Sequence, residues 1–362
     1  MWHLRHKNRK ELDDYADLFL KGIIKRINKY RVDPKYTAWC NYLCPPPAIV
    51  GGHYDDTIIK DILTSTPERL YSLNDKHLNE MLKRRQCAAN PNGYQYTYSE
   101  RQLRHHLKAK AKKAANRCGR EISLVQRYDE LFEFLLSVFD YDLVRGEAAY
   151  KVAKMKEVNT CTYCNRQYTF TIGKTTANGK TVSKIKPQFD HWFAHKQYPL
   201  LSLSFYNLIP SCGVCNSAVK GSAHFSLKTH VHPYLTNTSD PAFKFRPVLV
   251  FDENKKDIRW SVVLKCKPHS KEANTINDTA LDTIYDRHGE LEVKDIMDFA
   301  LKNNVTYLRD LFQKLCVDFD GTYSQADVYR ILFGIEADID QSLQRPFSKL
   351  KRDVLEGEGI KL

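Results

Sequence analysis

Long apolar runs are what this 362-residue chain most plainly lacks. The densest, Leu131 to Phe139, falls well short of the roughly 18 apolar residues that a membrane-spanning helix needs, so no membrane partner is expected. The N-terminal MWHLRHKNRK is charged from the outset and has no apolar core of a secretory leader. There is no internal repeat and no low-complexity tract. No GxxxxGK[ST] occurs, so any dependence on ATP must come from a separate subunit, and no helix-turn-helix or other base-reading motif stands out. Acid is scarce relative to base: 43 Asp+Glu against 56 Lys+Arg give a net charge of +13. That surplus favours a polyanionic partner, because phosphate contacts dominate nucleic-acid affinity, although it also suits a merely soluble basic protein.

What is present is ordinary core material. Hydrophobic residues make up 42% and aromatics 12%, which is a globular composition, and the length suggests two or three units. The pattern predicts an α+β chain: a mainly helical, basic N-terminal domain over 1–150, a central region over 151–235, and a C-terminal region of β-hairpin and helices over 236–362. Helices are expected over 1–35, 75–85, 124–144 and 147–158, with a proline- and glycine-rich loop at 44–52 (CPPPAIVGG). Two alternating segments, Gln167 to Ile172 and Thr181 to Ile185, flank Ala177-Asn178-Gly179 and predict a hairpin. Further on, 243–252 and 258–266 are expected as strands, and 293–312, 327–333 and the tail up to Gly357 as helices.

Residues 101–120 hold eight Lys or Arg and no acid. At helical spacing Leu103, Leu107, Ala111, Ala114 and Cys118 form one narrow stripe, leaving Arg104, Lys108, Lys112 and Arg117 on basic faces. Such a helix can dock by its stripe and present its charge to phosphates; a solvated surface helix has the same pattern.

Ten cysteines with no secretory leader fit a reducing, cytoplasmic setting better than a disulfide framework. Four fall into two C-x-x-C pairs, Cys161 with Cys164 and Cys212 with Cys215, and two such pairs make a four-cysteine zinc site. The 47 residues between the pairs exceed ordinary zinc-ribbon spacing, so the insert carries something else. It contains Asp190-His191 and Asn207, and Asn216 and Lys220 follow the second pair.

In that order (C-x-x-C, D-H, N-L, C-x-x-C-N-x-x-x-K) these residues resemble the HNH endonucleases, also called ββα-metal or His-Me finger nucleases. The resemblance covers about a fifth of the chain, Cys161 to Tyr234. It implies a ββα-metal finger stapled by structural zinc, with strands around Asp190-His191 and Asn207 to Pro210 and a helix from Gly213. YPLLSLSFYNLIPSC, the HPY at His232 to Tyr234 and the terminal RPFSKLKRDV are similar to HNH proteins of bacterial anti-phage modules, which implies an ATPase partner.

The chemistry follows from residue type. An imidazole titrates near neutrality, so His191 can take a proton from water. Asp190 and Asn216 offer hard oxygens suited to Mg²⁺ or Mn²⁺, and Asn207 is placed to hold the imidazole or its loop. Lys220 can meet a backbone phosphate. A cation bound by four thiolates keeps no open position, so the zinc is structural. The expectation is thus a metal-dependent endonuclease acting on DNA. An RNA nuclease using the same site, or a non-catalytic zinc module that binds nucleic acid, would carry many of the same residues.

Overall fold

The computed structural model describes residues 2–47, 52–84, 119–175, 179, 181–221, 223–236, 243–253, 256–303, 306–307, 310–311, 313–314 and 324–360. They form an α+β protein in two compact units. One gathers Lys7–Val152 and His191–Leu208, the other Met1–His6, Ala153–Asp190 and Ile209–Leu362. One of the boundaries along the chain falls between Asp190 and His191. No described helix is long and apolar enough to cross a membrane.

The helical unit opens with α1, Arg9–Arg31, started by a capping box in which Asn8 and Glu11 satisfy each other's backbone amides. Its buried stripe, Leu12, Tyr15, Ala16, Phe19, Leu20, Ile23 and Ile27, recurs at three-to-four spacing. The sequence reading missed α2, Pro34–Leu43, although Asp33 caps it and Pro34 fills its first turn. It also missed α3, Thr57–Thr64, and the first half of α4, Pro67–Arg84. The expected helix over 124–144 is α5, Gly119–Val138, followed by a separate 3₁₀ turn, Tyr141–Leu143. Asp140 breaks the run by capping that turn through the Asp142 amide. Trp39, Tyr36 and Phe134 form the aromatic centre of the unit, Tyr36 stacked on Phe134 at 5.6 Å.

The segment His191–Leu208 is threaded into this helical core. Leu200, Leu201, Leu203, Phe205 and Leu208 are completely buried, each contributing about 1.5–3 kcal/mol by leaving water. Two long-range bonds hold it: the Tyr15 hydroxyl donates to the Leu203 carbonyl at 2.7 Å, and Ser204 Oγ to the Ile62 carbonyl at 2.7 Å.

After α6, Gly146–Lys156, come three two-stranded sheets among the described residues. In the first, β1 (Ile172–Thr175) pairs with β2 (Thr181–Ile185). The expected strand over 167–172 starts five residues later than predicted. The cause is competition for its backbone: Gln167 O accepts from the Cys161 amide at 3.0 Å and the Thr169 amide donates to Asn159 O at 2.7 Å. That stretch is tied to the first cysteine pair, not to β2. The second sheet is β3 (Gln188–His191) with β4 (Leu208–Ser211), and a π-helical turn, Val214–Lys220, follows.

The third sheet joins β5 (Lys244–Asp252) to β6 (Asp257–Lys265). Pro247 is tolerated because a two-stranded sheet has only edges. Gly289 lies against this hairpin so closely that a Cβ would come 2.2 Å from the Trp260 carbonyl oxygen. Helices α7 (Lys271–Asp278), α8 (Leu281–Asp286), α9 (Lys294–Lys302), α10 (Gln325–Phe333) and α11 (Ser348–Gly357) complete the unit. The helix predicted over 293–312 is interrupted at Asn303, which turns extended, and residues 306–307 and 310–311 are helical again. On α11 the buried Asp353 carboxylate accepts from Lys349 at 2.9 Å and from the Phe245 amide at 2.9 Å, joining the terminal helix to β5.

Candidate metal centre and the Asp190–His191 pair

Four cysteines meet although 47 residues separate their pairs. The sulfurs of Cys161, Cys164, Cys212 and Cys215 all lie within 4.8 Å of one another, and all four residues are buried. They are positioned to hold a metal ion. Local turns aim them: after the first pair, Asn165 takes a left-handed conformation (φ 50) and its amide bonds back to Cys161 O at 2.8 Å, a conformation Asn adopts more readily than other non-glycine residues. After the second pair the Asn216 amide returns to Cys212 O at 3.0 Å. The neighbouring sulfurs, Cys161 first, hold the Cys164 thiol well below its ordinary value and bring Cys212 down to about 7. Burial instead pushes Cys161 up.

The C-terminal elements clamp the first pair. Tyr285 donates its hydroxyl to Cys164 O, the Thr160 amide donates to Leu343 O at 3.0 Å, and Asn165 Nδ2 donates to the Ser342 and Arg345 carbonyls at 3.0 and 3.1 Å.

Asp190 sits on β3 in the same unit, 4% exposed. Tyr163, which lies between the two cysteines of the first pair, donates its hydroxyl to Asp190 Oδ2. Burial first, then the charge of Asp190, raises the Tyr163 phenol far above its ordinary range, so it remains a donor. Lys220, 3% exposed, places Nζ 3.0 Å from Asp190 Oδ2 and 5.0 Å from the Phe225 ring centroid. A buried ammonium needs a compensating charge, and here Asp190 supplies it. Asn216 Nδ2 donates to Gln188 Oε1 at 2.9 Å, and Gln188 shares a face of β3 with Asp190 by strand alternation.

His191 is half-buried in the helical unit. Its Nε2 lies 2.9 Å from the Ser202 carbonyl oxygen. A carbonyl can only accept, so this bond places a proton on Nε2. Tyr141 packs edge-on against the imidazole at 5.2 Å, and the His195 ring lies 5.0 Å away. Asn207 is fully buried and clasps the loop that carries this arrangement. Its Oδ1 accepts from the Phe193 amide at 2.6 Å, and its Nδ2 donates to the carbonyls of Phe193 at 3.1 Å and Leu201 at 2.9 Å. Asn207 O accepts from the Trp192 amide at 3.0 Å as well. These bonds all go to the loop that follows His191.

Two other histidines of this region have structural partners. His230 bonds Asp278 at 2.9 Å while stacked on Phe225, and His232 Nδ1 accepts from the Tyr234 amide, capping a short 3₁₀ turn. The predicted nucleic-acid contacts Arg104, Lys108, Lys112 and Arg117 lie outside the described residues. Two participants were missed in the sequence: Tyr163, whose position between paired cysteines was a usable signal, and the Ser202 carbonyl, a backbone group that no residue type announces. Comparison with family models, with curated proteins and with solved structures finds no match to this chain.

Proposed function

We propose that this chain is a metal-dependent, HNH-type endonuclease that hydrolyses phosphodiester bonds of DNA. The observation that carries the reading is the hydrogen bond from Nε2 of His191, the residue next to Asp190, to the Ser202 carbonyl. In a neutral imidazole so bonded, Nδ1 is the basic nitrogen that deprotonation of an attacking water requires.

In this reading the four cysteines hold structural zinc. A tetrahedral zinc with bonds of about 2.3 Å sets its sulfurs about 3.8 Å apart, and a cluster within 4.8 Å accommodates it. Asp190 and Asn216 would hold a second, hard ion, which supplies Lewis-acid activation of the phosphate when bound. Their donor chemistry fits Mg²⁺ or Mn²⁺. A carboxylate has roughly four lone-pair sites, so Tyr163 and Lys220 leave capacity on Asp190, although the ion must share the carboxylate with an ammonium.

His191 takes the proton as the water oxygen bonds to phosphorus, and the P–O3′ bond breaks to release a 3′ oxyanion, which takes a proton from solvent, leaving 5′-phosphate and 3′-hydroxyl ends. Asn207 keeps the loop of His191 and Ser202 in one conformation. The likeness of the flanking segments to anti-phage HNH proteins supports a defence effector that works beside an ATPase subunit.

Nicking of supercoiled plasmid and degradation of total RNA, with Mg²⁺ or Mn²⁺, test the reading. Plasmid cutting that stops in EDTA and in His191→Ala is the expected result. Cutting confined to RNA keeps the chemistry and replaces the substrate, and cutting that survives His191→Ala removes the assignment of the base.

A further inference from the structure

An exposed aromatic ridge on the unit that carries the four cysteines is absorbed by nothing above. Tyr168, Phe170 and Ile172 are 50%, 42% and 47% exposed, while Thr169 between them is buried. Alternation along an extended segment turns all three to one side, and Ile185, 53% exposed, adjoins Ile172 across the β1–β2 pair. The Tyr168 and Phe170 rings are stacked, with centroids 4.5 Å apart and planes at 18°. A contiguous apolar patch of this kind marks an interaction surface more often than scattered single residues do.

Its backbone is held rigid. The Thr160–Tyr168 bridge, the Cys161 amide on Gln167 O and the Thr169 amide on Asn159 O fasten the ridge to the first cysteine pair. A partner therefore binds without having to order this segment.

Charge selects the partner. From Arg166 to Lys186 the sequence holds five Lys or Arg and no Asp or Glu, and Lys174 and Lys184 are exposed. Stacked rings amid positive charge fit a polyanion that carries π-faces. In a duplex those faces are covered by neighbouring base pairs, whereas a single strand offers them. We infer that Tyr168 and Phe170, flanked by Lys174 and Lys184, form a stacking platform for single-stranded nucleic acid. The ridge precedes β3 directly. The five residue steps from Ile185 to Asp190 span at most about 17 Å, so a strand held here runs within a few nucleotides of Asp190. The inference deepens the nuclease reading by assigning the strand that its site receives, and it rests on that reading for relevance but not for its test.

The test is fluorescence anisotropy of full-length protein with labelled oligo-dT and oligo-rU single strands and a labelled duplex of equal length, without added divalent metal so that nothing is cut. Tyr168→Ser/Phe170→Ser should weaken single-strand binding at least tenfold while duplex binding changes little. Lys174→Gln/Lys184→Gln should lower affinity for both forms and flatten the salt dependence. Tyr168→Trp should retain or improve single-strand binding, which separates stacking from misfolding. Oligonucleotides carrying 5-iodouracil should photo-crosslink to the peptide that contains Tyr168 and Phe170.

Unchanged single-strand affinity in the double serine variant, or a crosslink elsewhere, overturns the platform while leaving plasmid cutting by His191 untouched. Ridge-dependent binding to phosphatidylserine vesicles, or ridge-dependent self-association in sedimentation, without single-strand binding also overturns it. Loss of cutting in the nuclease assay with ridge-dependent single-strand binding intact would remove the nuclease reading and keep the platform.

Discussion

Lys220 and Asp190 form an ion pair at 3.0 Å in which both side chains are almost wholly withdrawn from water, at 2% and 6% exposure. Removing one partner strands the other charge, at a typical cost of 3–5 kcal/mol, whereas removing both with volume kept is far cheaper. Lys220→Met alone should therefore lower unfolding free energy by about 3 kcal/mol, and Lys220→Met with Asp190→Leu by much less. Urea unfolding of the two single variants and the pair measures the coupling. The same variant tests Asp190 as an ion ligand. If the carboxylate takes Mg²⁺, the ion should stabilise Lys220→Met more than wild type, because it no longer competes with an ammonium. Equal Mg²⁺ response in both proteins would remove Asp190 from the ligand set.

The cysteine cluster gives the second prediction. Purified protein should contain a single zinc ion per chain by elemental analysis, and Cys212→Ser should lose it. Chelation should unfold the unit that carries the four cysteines, since binding free energy at such sites is folding free energy. Retention of native near-ultraviolet circular dichroism after zinc removal would show that Tyr285, Thr160 and Asn165 hold the first pair unaided.

Much of this site is legible in the chain. The C-x-x-C pairs announce a four-sulfur centre however long the insert, because ligand chemistry depends on what meets and not on sequence distance. The stripe of α1 and the dipeptide Asp190-His191 are equally local signals. Other features have no local signal. Lys220 reads as a solvent-facing helical lysine, and only the tertiary approach of β3 makes it a buried counter-charge. Burial of His191–Leu208 among helices depends on Tyr15 and Ile62, 188 and 142 residues from their partners in that segment. The strand expected over 167–172 failed for a related reason: its alternation was real, but the first cysteine pair took its hydrogen bonds.

Asn207 provides a sharper test of positioning against chemistry. It makes three buried side-chain hydrogen bonds to the loop after His191. Loss of one such partner costs about 1–3 kcal/mol. Asn207→Ala should be destabilised by several kcal/mol, and Asn207→Asp, which keeps the acceptor toward Phe193 N but loses both donors, by about as much. In the nuclease assay both should lower kcat with little effect on KM, because they loosen the base and leave substrate contacts alone. A variant with unchanged kcat and reduced stability would confine Asn207 to the fold.

The last prediction concerns acid. Burial holds the His77 imidazole down to about 4, with the positive charge of Lys76 a smaller contribution in the same direction. His77 Nδ1 meets the Tyr42 hydroxyl at 2.8 Å, and among the described residues nothing bonds Nε2. An unfolded histidine titrates near 6.5. Below that value the unfolded chain binds a proton that the folded one refuses, so the unfolded state gains. The stability owed to His77 is complete above about pH 6.5 and is lost as the pH falls toward 4, with an upper bound of about 3 kcal/mol. His3 and His288, also lowered by burial, act in the same direction, so the contribution must be read as a difference. Urea unfolding at pH 7 and pH 5 should show a smaller acid loss in His77→Leu than in wild type. Equal losses in the two proteins would mean that His77 accepts its proton in the folded state, and that the polar pocket beside Tyr42 is wetter than its burial implies.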